Sequence, residues 1–575
     1  MKAVLSGNEA FARGAYEASV KLVSSYPGTP STEITENLAK YDGLYIEWAT
    51  NEKVALEVAL GASMAGCRAL TAMKHVGLNV AADPLMTASY TGVNGGLVII
   101  VADDPNMYSS QNEQDSRHYA RLSKLPMLEP SDSSEARTSV INAFSISEKY
   151  GCPVLVRSAT RVSHSLSVVE TGERVEAQPV EFKKEPLRWV MTPVNARVRH
   201  KIVEERLIKL QELSEEFAEE FICSKDVGII TSGAPFNYVM EAMPEASILK
   251  LGMVWPLPLK KIRAFARKVR SLYVVEELDN VIETELKAAG VKITPLQRDF
   301  CGELSVERVM GFFGKKTPET KPLAGSLPLR LPNMCAGCSH RGIFFAINRL
   351  KLIALGDIGC YTLGYMPPLS AMDSCICMGA SVSMAYGFNR GRGITKNRQA
   401  VGVVGDSTFL HTGVNGLINA VYNQGASTII ILDNRITGMT GHQPNPGSGV
   451  NILGEFAPTL DLEALCRAIG VKHVRKVNPF DPDLCVKVLK EETVREEISV
   501  IITDRSCIFI DKTAMKTPYE IGANCSGCKV CLRLGCPAIS WGAEKDQAVI
   551  DAMQCTGCGL CSKVCKFEAI KNVSE

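Results

Sequence analysis

The sequence has no run of eighteen or more apolar residues, so no membrane span is expected. It has almost no net charge: 63 Lys and Arg stand against 62 Asp and Glu, with no basic tail and no polybasic run. Nucleic acid is therefore not an expected partner. The opening MKAVLSGNEAFARGAYEASV holds neither a long apolar stretch nor a small-residue cleavage site, and it is not expected to be a signal peptide. No Gly-x-Gly-x-x-Gly follows a strand in the right setting, so nothing points to a nicotinamide. What is plentiful is cysteine. Twenty cysteines without a secretory signal argue against a disulfide framework and for metal or redox ligation in a reducing, cytoplasmic compartment.

A chain of 575 residues is too long for one core. Hydrophobic content of 46% with 22% charged residues describes an ordinary globular protein. Residues 1–175 alternate helical and strand-like stretches. GAYEASVKLVSSYPGTPSTEI reads as a helix and then a turn with two prolines, NEKVALEVALGASMAG as an Ala-rich helix, and GGLVIIVADDP and CPVLVRSATRVSH as strands. Residues 176–222 are charged and read as a solvated connecting helix. Residues 223–316 form a small α/β domain, 317–330 a Pro- and Lys-rich linker, 331–512 a second large α/β unit and 520–575 a Cys-rich tail. Strands alternating with helices imply an α/β fold with mostly parallel sheets.

The tail spaces Cys555, Cys558, Cys561 and Cys565 as Cys-x-x-Cys-x-x-Cys-x-x-x-Cys, and upstream run Cys525, Cys528, Cys531 and Cys536. In two-cluster proteins the fourth Cys of such a run ligates the other [4Fe–4S] cluster. That assigns Cys525, Cys528, Cys531 and Cys565 to one cluster, and Cys555, Cys558, Cys561 and Cys536 to the other. Paired zinc sites are the rival, but they do not explain triads at this interval repeated twice. The tail resembles bacterial-type ferredoxin. It departs from it in the four residues before Cys536 and in Lys566, which stands where a proline often follows.

In AVGVVGDSTFLHTGVNGLINAVYNQGASTIIILDN, one apolar strand ends at Gly405-Asp406 and a second at Asp433-Asn434. In a parallel sheet both polar ends emerge at the carboxyl edge, where ligands bind. An acid and an amide there suit Mg²⁺, which in turn grips a diphosphate. The bland reading is a βαβ crossover with polar strand ends, but the following RITGMTGHQP is a Gly-rich turn that lets backbone approach phosphates. The pattern resembles the thiamine diphosphate motif. That resemblance implies the metal ligands Asp406, Asn434 and the Ile436 carbonyl, and adds Gly405, Ser407, Gly438, Cys360 and Tyr361 to the cofactor-binding set. Thiamine also needs an acid at its pyrimidine ring, since the protein positions chemistry that belongs to the cofactor. Glu47, Glu52 and Glu57 are available. Glu52 opens the Ala-rich helix in apolar surroundings; from position alone, each reads as a solvated helix-start glutamate.

YPGTPSTEI, NEKVALEVALGAS and GLNVAADPLM resemble the N-terminal domain of 2-oxoacid:ferredoxin oxidoreductases. CAGCSHRGIF, GDIGCYTLG, CMGASVSMAYGF and GDSTFLHTGVNGL resemble their thiamine-binding domain. The resemblance covers nearly the whole chain. It implies a pyrimidine-binding domain at 1–175, a transketolase C-terminal-like domain at 223–316, a diphosphate- and Mg-binding domain at 331–512 and an α+β ferredoxin-like domain at 520–575. Glu52 becomes the pyrimidine-activating residue, and Thr29 the residue beside the bound oxoacid. The implied reaction is oxidative decarboxylation of an arylpyruvate such as indolepyruvate to an arylacetyl-coenzyme A and CO₂, with electrons leaving singly to an external ferredoxin. A smaller partner subunit, in an α₂β₂ assembly, and an anaerobe's cytoplasm are implied too. Alternatives are another 2-oxoacid (branched-chain or pyruvate), a non-oxidative decarboxylase that has no use for the tail, or an electron-transfer subunit with a non-catalytic thiamine fold.

Cys335, Cys338, Cys360 and Cys507 match the ligands of a cluster near the thiamine in related pyruvate enzymes. They could hold a third [4Fe–4S] cluster, bind zinc with His340, or stay as thiols. Cys67, Cys152, Cys223, Cys301, Cys375, Cys377, Cys466 and Cys485 are expected in the core. The oxoacid carboxylate needs a cationic partner. VADDP stands where the family's arginine would fall, which leaves Lys74, His75 and Arg117 as weak candidates.

Overall fold

The computed structural model describes residues 1–297, 301–317, 331–392, 400–511, 515–544 and 546–573. The chain divides into two compact units, Met1–Ala324 and Gly325–Glu575. Most of the expected linker, 318–330, lies outside the described residues.

The first unit is built on a seven-stranded sheet. Its order is Met253–Trp255, Met127–Leu128, Val154–Ala159, Leu97–Asp103, Ala69–Lys74, Leu22–Ser25 and Tyr45–Trp48. All pairings are parallel except that of Met253–Trp255 with Met127–Leu128. The central strands LVIIVAD and ALTAMK are buried along their whole length, because helices cover both faces of a parallel sheet. A run of apolar residues closed by a charged one thus places Lys74 and Asp103 at the carboxyl edge. Tyr26–Thr29 and Glu52 follow strands Leu22–Ser25 and Tyr45–Trp48 at that same edge. Helix Glu52–Met64 starts there because the Asn51 side chain accepts from Val54 N at 2.9 Å.

A second sheet of the first unit has the order Ser271–Val275, Val227–Ser232, Ser247–Leu251 and Ala218–Phe221, with the last strand antiparallel. Ala218–Phe221 lies in the stretch expected to be a connecting helix. The helix before it, Pro193–Ser214, is not simply solvated either. Val203, Leu210 and Leu213 are buried, and Arg206 Nη2 donates to Ser89 O at 2.8 Å. Strand Leu22–Ser25 was likewise hidden in a stretch that reads as helix and turn. It is four residues long and too short for a period to show.

The second unit carries a six-stranded, all-parallel sheet of order Ser374–Cys375, Ile353–Gly356, Ala400–Gly405, Thr428–Asp433, Ser499–Asp504 and His473–Val477. Asp406, Asn434 and the loops bearing Cys360 and Cys507 follow strand ends at one edge. Helix Arg341–Leu350 feeds strand Ile353–Gly356 and runs against it, which brings its N-terminus and the preceding Cys335–Cys338 turn to that edge. The tail adds two antiparallel ribbons, Tyr519–Ile521 with Ile570–Asn572 and Ile539–Gly542 with Gln547–Ile550. Among the described residues no helix is long and apolar enough to cross a membrane.

Of the cysteines expected in the core, Cys152, Cys466 and Cys485 are buried. Cys67 and Cys375 are half-buried, and Cys223, Cys301 and Cys377 are exposed. Cys375 closes the two-residue edge strand Ser374–Cys375, and Cys377 lies in the loop just after it.

Candidate functional site

In the first unit only one of the three glutamates is built into the edge. Glu57 is exposed and pairs with Lys53. Glu47 accepts from Ser24 Oγ at 2.8 Å and Tyr45 Oη at 2.9 Å. Glu52 is 5% exposed. Its carboxyl lies against the backbone of helix His75–Val80, so closely that a Cβ on Gly77 would stand 2.6 Å from Oε1. Glycine at 77 is therefore a spatial requirement of Glu52.

Beside it, Lys74 sends Nζ under the loop that follows the next strand. It donates to Ser109 O at 2.6 Å and Ser109 Oγ at 3.1 Å, with Asp104 at 3.9 Å. Ser109 Oγ in turn donates to Thr29 O at 3.2 Å, so Lys74 and Thr29 share a partner. Burial pushes the Lys74 ammonium down to about 8, with Asp104 only partly opposing it. Burial raises Asp104 as well, but hydrogen bonds from Ser110, Ser109 and Thr160 outweigh it and hold this carboxyl below its ordinary value. His75 is buried, with Nε2 3.3 Å from Asn112 O and Nδ1 without a partner; burial lowers its pKa and keeps it neutral. Arg117 is not available to a substrate. It is buried between Asp115 and Glu276, at 2.5 and 2.7 Å, and donates to Glu277 O and Asp279 O. Truncating it would strand those carboxylates, a loss of about 3–5 kcal/mol.

In the second unit, oxygens converge where the strands Ala400–Gly405 and Thr428–Asp433 end. The amide end of Asn434 that faces Asp406 Oδ1, at 3.0 Å, and the Ile436 carbonyl, at 2.9 Å, carries its oxygen, although an NH₂ turned there would donate to both. Oxygens at 3.0 and 2.9 Å from the Asn434 oxygen have the spacing of neighbouring ligands in an octahedron with bonds of about 2.0–2.1 Å, the Mg²⁺ geometry. Asp406 Oδ2 is held by Asn445 Nδ2 at 3.0 Å, which aims the other oxygen at this point. Burial and then the Asp433 carboxylate push Asp406 up to about 7, a conflict that a cation would resolve. Ser407 Oγ accepts from Thr437 Oγ1 at 2.8 Å. Tyr361 belongs to the core: its ring fills the space beside Gly359 and Gly405, and its hydroxyl donates to Ile358 O at 3.0 Å. Gly438 leaves room for the Cys360 thiol, which a Cβ there would meet at 3.2 Å.

Cys335, Cys338, Cys360 and Cys507 are mutual neighbours. Burial pushes Cys338 up to about 12 despite a hydrogen bond from the His340 N–H, and the thiols of Cys335 and Cys360 add to the rise. Burial takes Cys360 to about 11, with Cys507 and Cys335 adding to it. Burial also raises Cys507, which faces both Cys335 and Asp406. In the tail, Cys536, Cys555, Cys558 and Cys561 line one cavity, sheathed by Leu534, Ile539, Ile550 and Leu560. Cys525 and Cys528 lie near Cys531. Among the described residues no three His, Cys, Asp or Glu side chains converge on a single ion. Buried His340, with Nδ1 unpartnered and its pKa pushed down to about 4 by burial, packs edge-on against Tyr361.

Several residues of this edge left no mark in the sequence. Ser109 reaches Lys74 across 35 residues, and Asn445 reaches Asp406 across 39, gaps that only folding closes.

Comparison with known families accounts for this arrangement. The family model "Pyruvate flavodoxin/ferredoxin oxidoreductase, thiamine diP-bdg" matches residues 13–213. "Thiamine pyrophosphate enzyme, C-terminal TPP binding domain" matches 357–503, and "4Fe-4S binding domain" matches 548–571. The class is thus a thiamine-dependent 2-oxoacid:ferredoxin oxidoreductase. Indolepyruvate oxidoreductase subunit IorA of Pyrococcus horikoshii is 40% identical over 100% of this chain and 97% of its own length. The subunit of the same name from Methanothermobacter thermautotrophicus is 39% identical over 99% and 97%. A solved 2-oxoglutarate:ferredoxin oxidoreductase from Magnetococcus marinus is a more distant likeness, with TM-score 0.48 and 19% identity over 54% of this chain and 65% of that one. The chain belongs to the indolepyruvate oxidoreductase subunit IorA family.

Proposed function

We propose that this chain catalyses the oxidative decarboxylation of arylpyruvates, indolepyruvate foremost, to the arylacetyl-coenzyme A and CO₂, and passes the electrons through its own thiolate-bound iron to an external ferredoxin. Thiamine diphosphate, when bound, supplies the nucleophilic carbon that attacks the ketone. The chain's residues do the rest. Asp406, Asn434 and the Ile436 carbonyl hold Mg²⁺ and through it the diphosphate. Glu52, pinned against Gly77, offers its carboxyl to a ring nitrogen of the pyrimidine and manages the proton there. Lys74 supplies the cation for the substrate carboxylate, and Thr29 stands beside it. The Cys335, Cys338, Cys360 and Cys507 set holds a third cluster in addition to two in the tail.

The observation that carries this reading is the join between cofactor anchor and thiols. Cys507 N donates to Asn434 O at 3.0 Å, and the Cys507 thiol faces Asp406. A metal-holding amide and a cluster ligand are one hydrogen bond apart, so electrons released at the cofactor have a short exit. The four-stranded sheet is read as the transketolase C-terminal-like domain, the tail as an α+β ferredoxin-like one, and the partner as a smaller subunit in an α₂β₂ assembly.

The test is an oxygen-free assay of the chain with its partner subunit, thiamine diphosphate, Mg²⁺, coenzyme A and ferredoxin. Indolepyruvate and phenylpyruvate should yield arylacetyl-coenzyme A with two ferredoxins reduced per CO₂, and pyruvate and branched-chain acids should be poor substrates. Release of an aldehyde or acid without ferredoxin reduction would overturn the reading.

A further inference from the structure

The second unit buries a guanidinium that, among the described residues, forms no ion pair with a carboxylate. Arg341 is 1% exposed and is the first residue of helix Arg341–Leu350, three positions after Cys338. Its nitrogens donate only to backbone carbonyls. Nε bonds Cys335 O at 3.1 Å, and Nη2 bonds Met334 O. Nη1 bonds Leu534 O at 2.9 Å and Gly535 O at 2.6 Å. The first two carbonyls belong to the Cys335–Cys338 turn and the last two to the loop that presents Cys536.

The ionisable groups around it are thiols from both sets: Cys338, then Cys536, Cys335 and Cys558. Arg341 also lines the cavity shared by Cys536, Cys555, Cys558 and Cys561. The Cys335–Cys338 turn also meets the Cys555–Cys558 loop at Gly337, whose φ of +72° and whose spacing both demand glycine; a Cβ there would stand 2.4 Å from Thr556 Oγ1. Arg341 therefore lies between two cysteine sets held in direct contact. Its other ionisable neighbour, His340, is buried and neutral.

Burying a guanidinium with carbonyls alone is unfavourable, because dipoles replace water only in part. Four thiolates around iron carry net negative charge, so loaded cluster sites supply the missing counter-charge on both sides of Arg341. We propose that Arg341 is an electrostatic coupler: its fixed charge stabilises the reduced state of both neighbouring iron–sulfur sites and so offsets the repulsion that an electron on one exerts on the other. This rests on the reading that both cysteine sets hold clusters. Arg341 is a positioning and tuning residue, not a catalytic one. It acts at the handover from the cofactor-side set to the tail, where a one-electron carrier must accept a second electron while the first is still close by. Only the guanidinium meets both demands of the place, a permanent charge and a planar fork of donors wide enough to bridge two loops.

The experiment compares the full chain, with its partner subunit, as Arg341→Lys, Arg341→Gln and Arg341→Met. Iron is counted in each, and the reduced clusters are followed by electron paramagnetic resonance during an anaerobic redox titration. Unsubstituted protein should hold about twelve irons, three clusters. Gln and Met should lower both neighbouring potentials, so that the reduced-to-oxidised ratio at fixed poise falls about tenfold or more, which is about 59 mV for a one-electron couple. Lys keeps the charge and loses the fork, and should restore most of the shift. Full iron with unchanged potentials in Gln and Met would overturn the proposal. So would equal shifts in all three variants, which would make Arg341 a mechanical staple. If Gln and Met lose iron, the Lys variant decides alone: full iron and potentials near those of the unsubstituted protein support the coupler, and a tenfold shift overturns it. Only about eight irons in unsubstituted protein would remove the cofactor-side cluster, and the coupler falls with it.

Discussion

Both units end a parallel sheet in a polar carboxyl edge, but they finish that edge in opposite ways. In the first, the charged groups are satisfied by protein: Lys74 by Ser109 and Asp104, Asp104 by Ser109, Ser110 and Thr160, Arg117 by Asp115 and Glu276. In the second, like faces like. The oxygens of Asp406, Asn434 and Ile436 point at one another, and four thiols crowd together in apolar surroundings. A finished edge is suited to an organic substrate that brings its own charge and leaves again. An edge of unresolved oxygens and thiols suits a metal that stays bound. On the proposed reading, the same sheet geometry serves the transient substrate in the first unit, beside Glu52 and the cofactor's ring, and the resident metals in the second.

The largest effect should come from breaking the resident side. Asp406→Ala removes the only carboxylate of the oxygen triad and should weaken thiamine diphosphate–Mg²⁺ binding by two orders of magnitude or more, since charge-assisted contacts are worth about 1.5–3 kcal/mol each and the diphosphate loses its cation as well. Isothermal titration would read it. Next, Glu52→Gln should bind the cofactor with near-normal affinity yet lose about 10²–10⁴-fold in kcat, the usual scale for a positioned proton-transfer group. On the substrate side, Lys74→Met should raise KM for the arylpyruvate about ten- to a hundredfold and leave cofactor binding untouched. Lys74 is charged below about 8 and neutral above it, so kcat/KM should fall as pH rises through that value in the unsubstituted enzyme, and the fall should vanish in Lys74→Met.

A subtler test separates the two edges by pH. Asp406 has its pKa raised to about 7, above its ordinary value of 3.8, so without metal it is mostly protonated at pH 6 and ionised at pH 8. Mg²⁺ must displace that proton. The increase in Tm on adding thiamine diphosphate and Mg²⁺ should therefore be larger at pH 8 than at pH 6 and should level off above about 8. Smallest of all, Gly77→Ala pushes a methyl into the Glu52 carboxyl and should lower kcat several-fold without changing the iron content.

The candidate ligands of the second unit were legible in the sequence because most belong to short local patterns. The cysteines recur at fixed intervals, and Asp406 and Asn434 each close an apolar run. The transient edge was hardly legible. Lys74 was only a weak candidate, and its meaning comes from Ser109 and Asp104, which arrive from a loop after the next strand. Arg117, equally a candidate by type, proved to be a buried tie between the two sheets of its unit. Cysteines expected in the core on residue type alone, such as Cys223 and Cys377, are exposed, because type says nothing about whether a strand is two residues long or six. The charged stretch before 222 hid strand Ala218–Phe221, since an edge strand of Ala, Glu, Glu and Phe carries no apolar run to reveal it.

The central claim is that thiamine chemistry and iron–sulfur chemistry in this chain are coupled. The direct measurement is the visible cluster absorbance of the anaerobic, cofactor-loaded protein with its partner, in a single turnover without ferredoxin. Indolepyruvate should bleach it within the turnover time, and pyruvate should not. An unbleached spectrum with every 2-oxoacid, in protein shown to hold both iron and thiamine, would contradict the account.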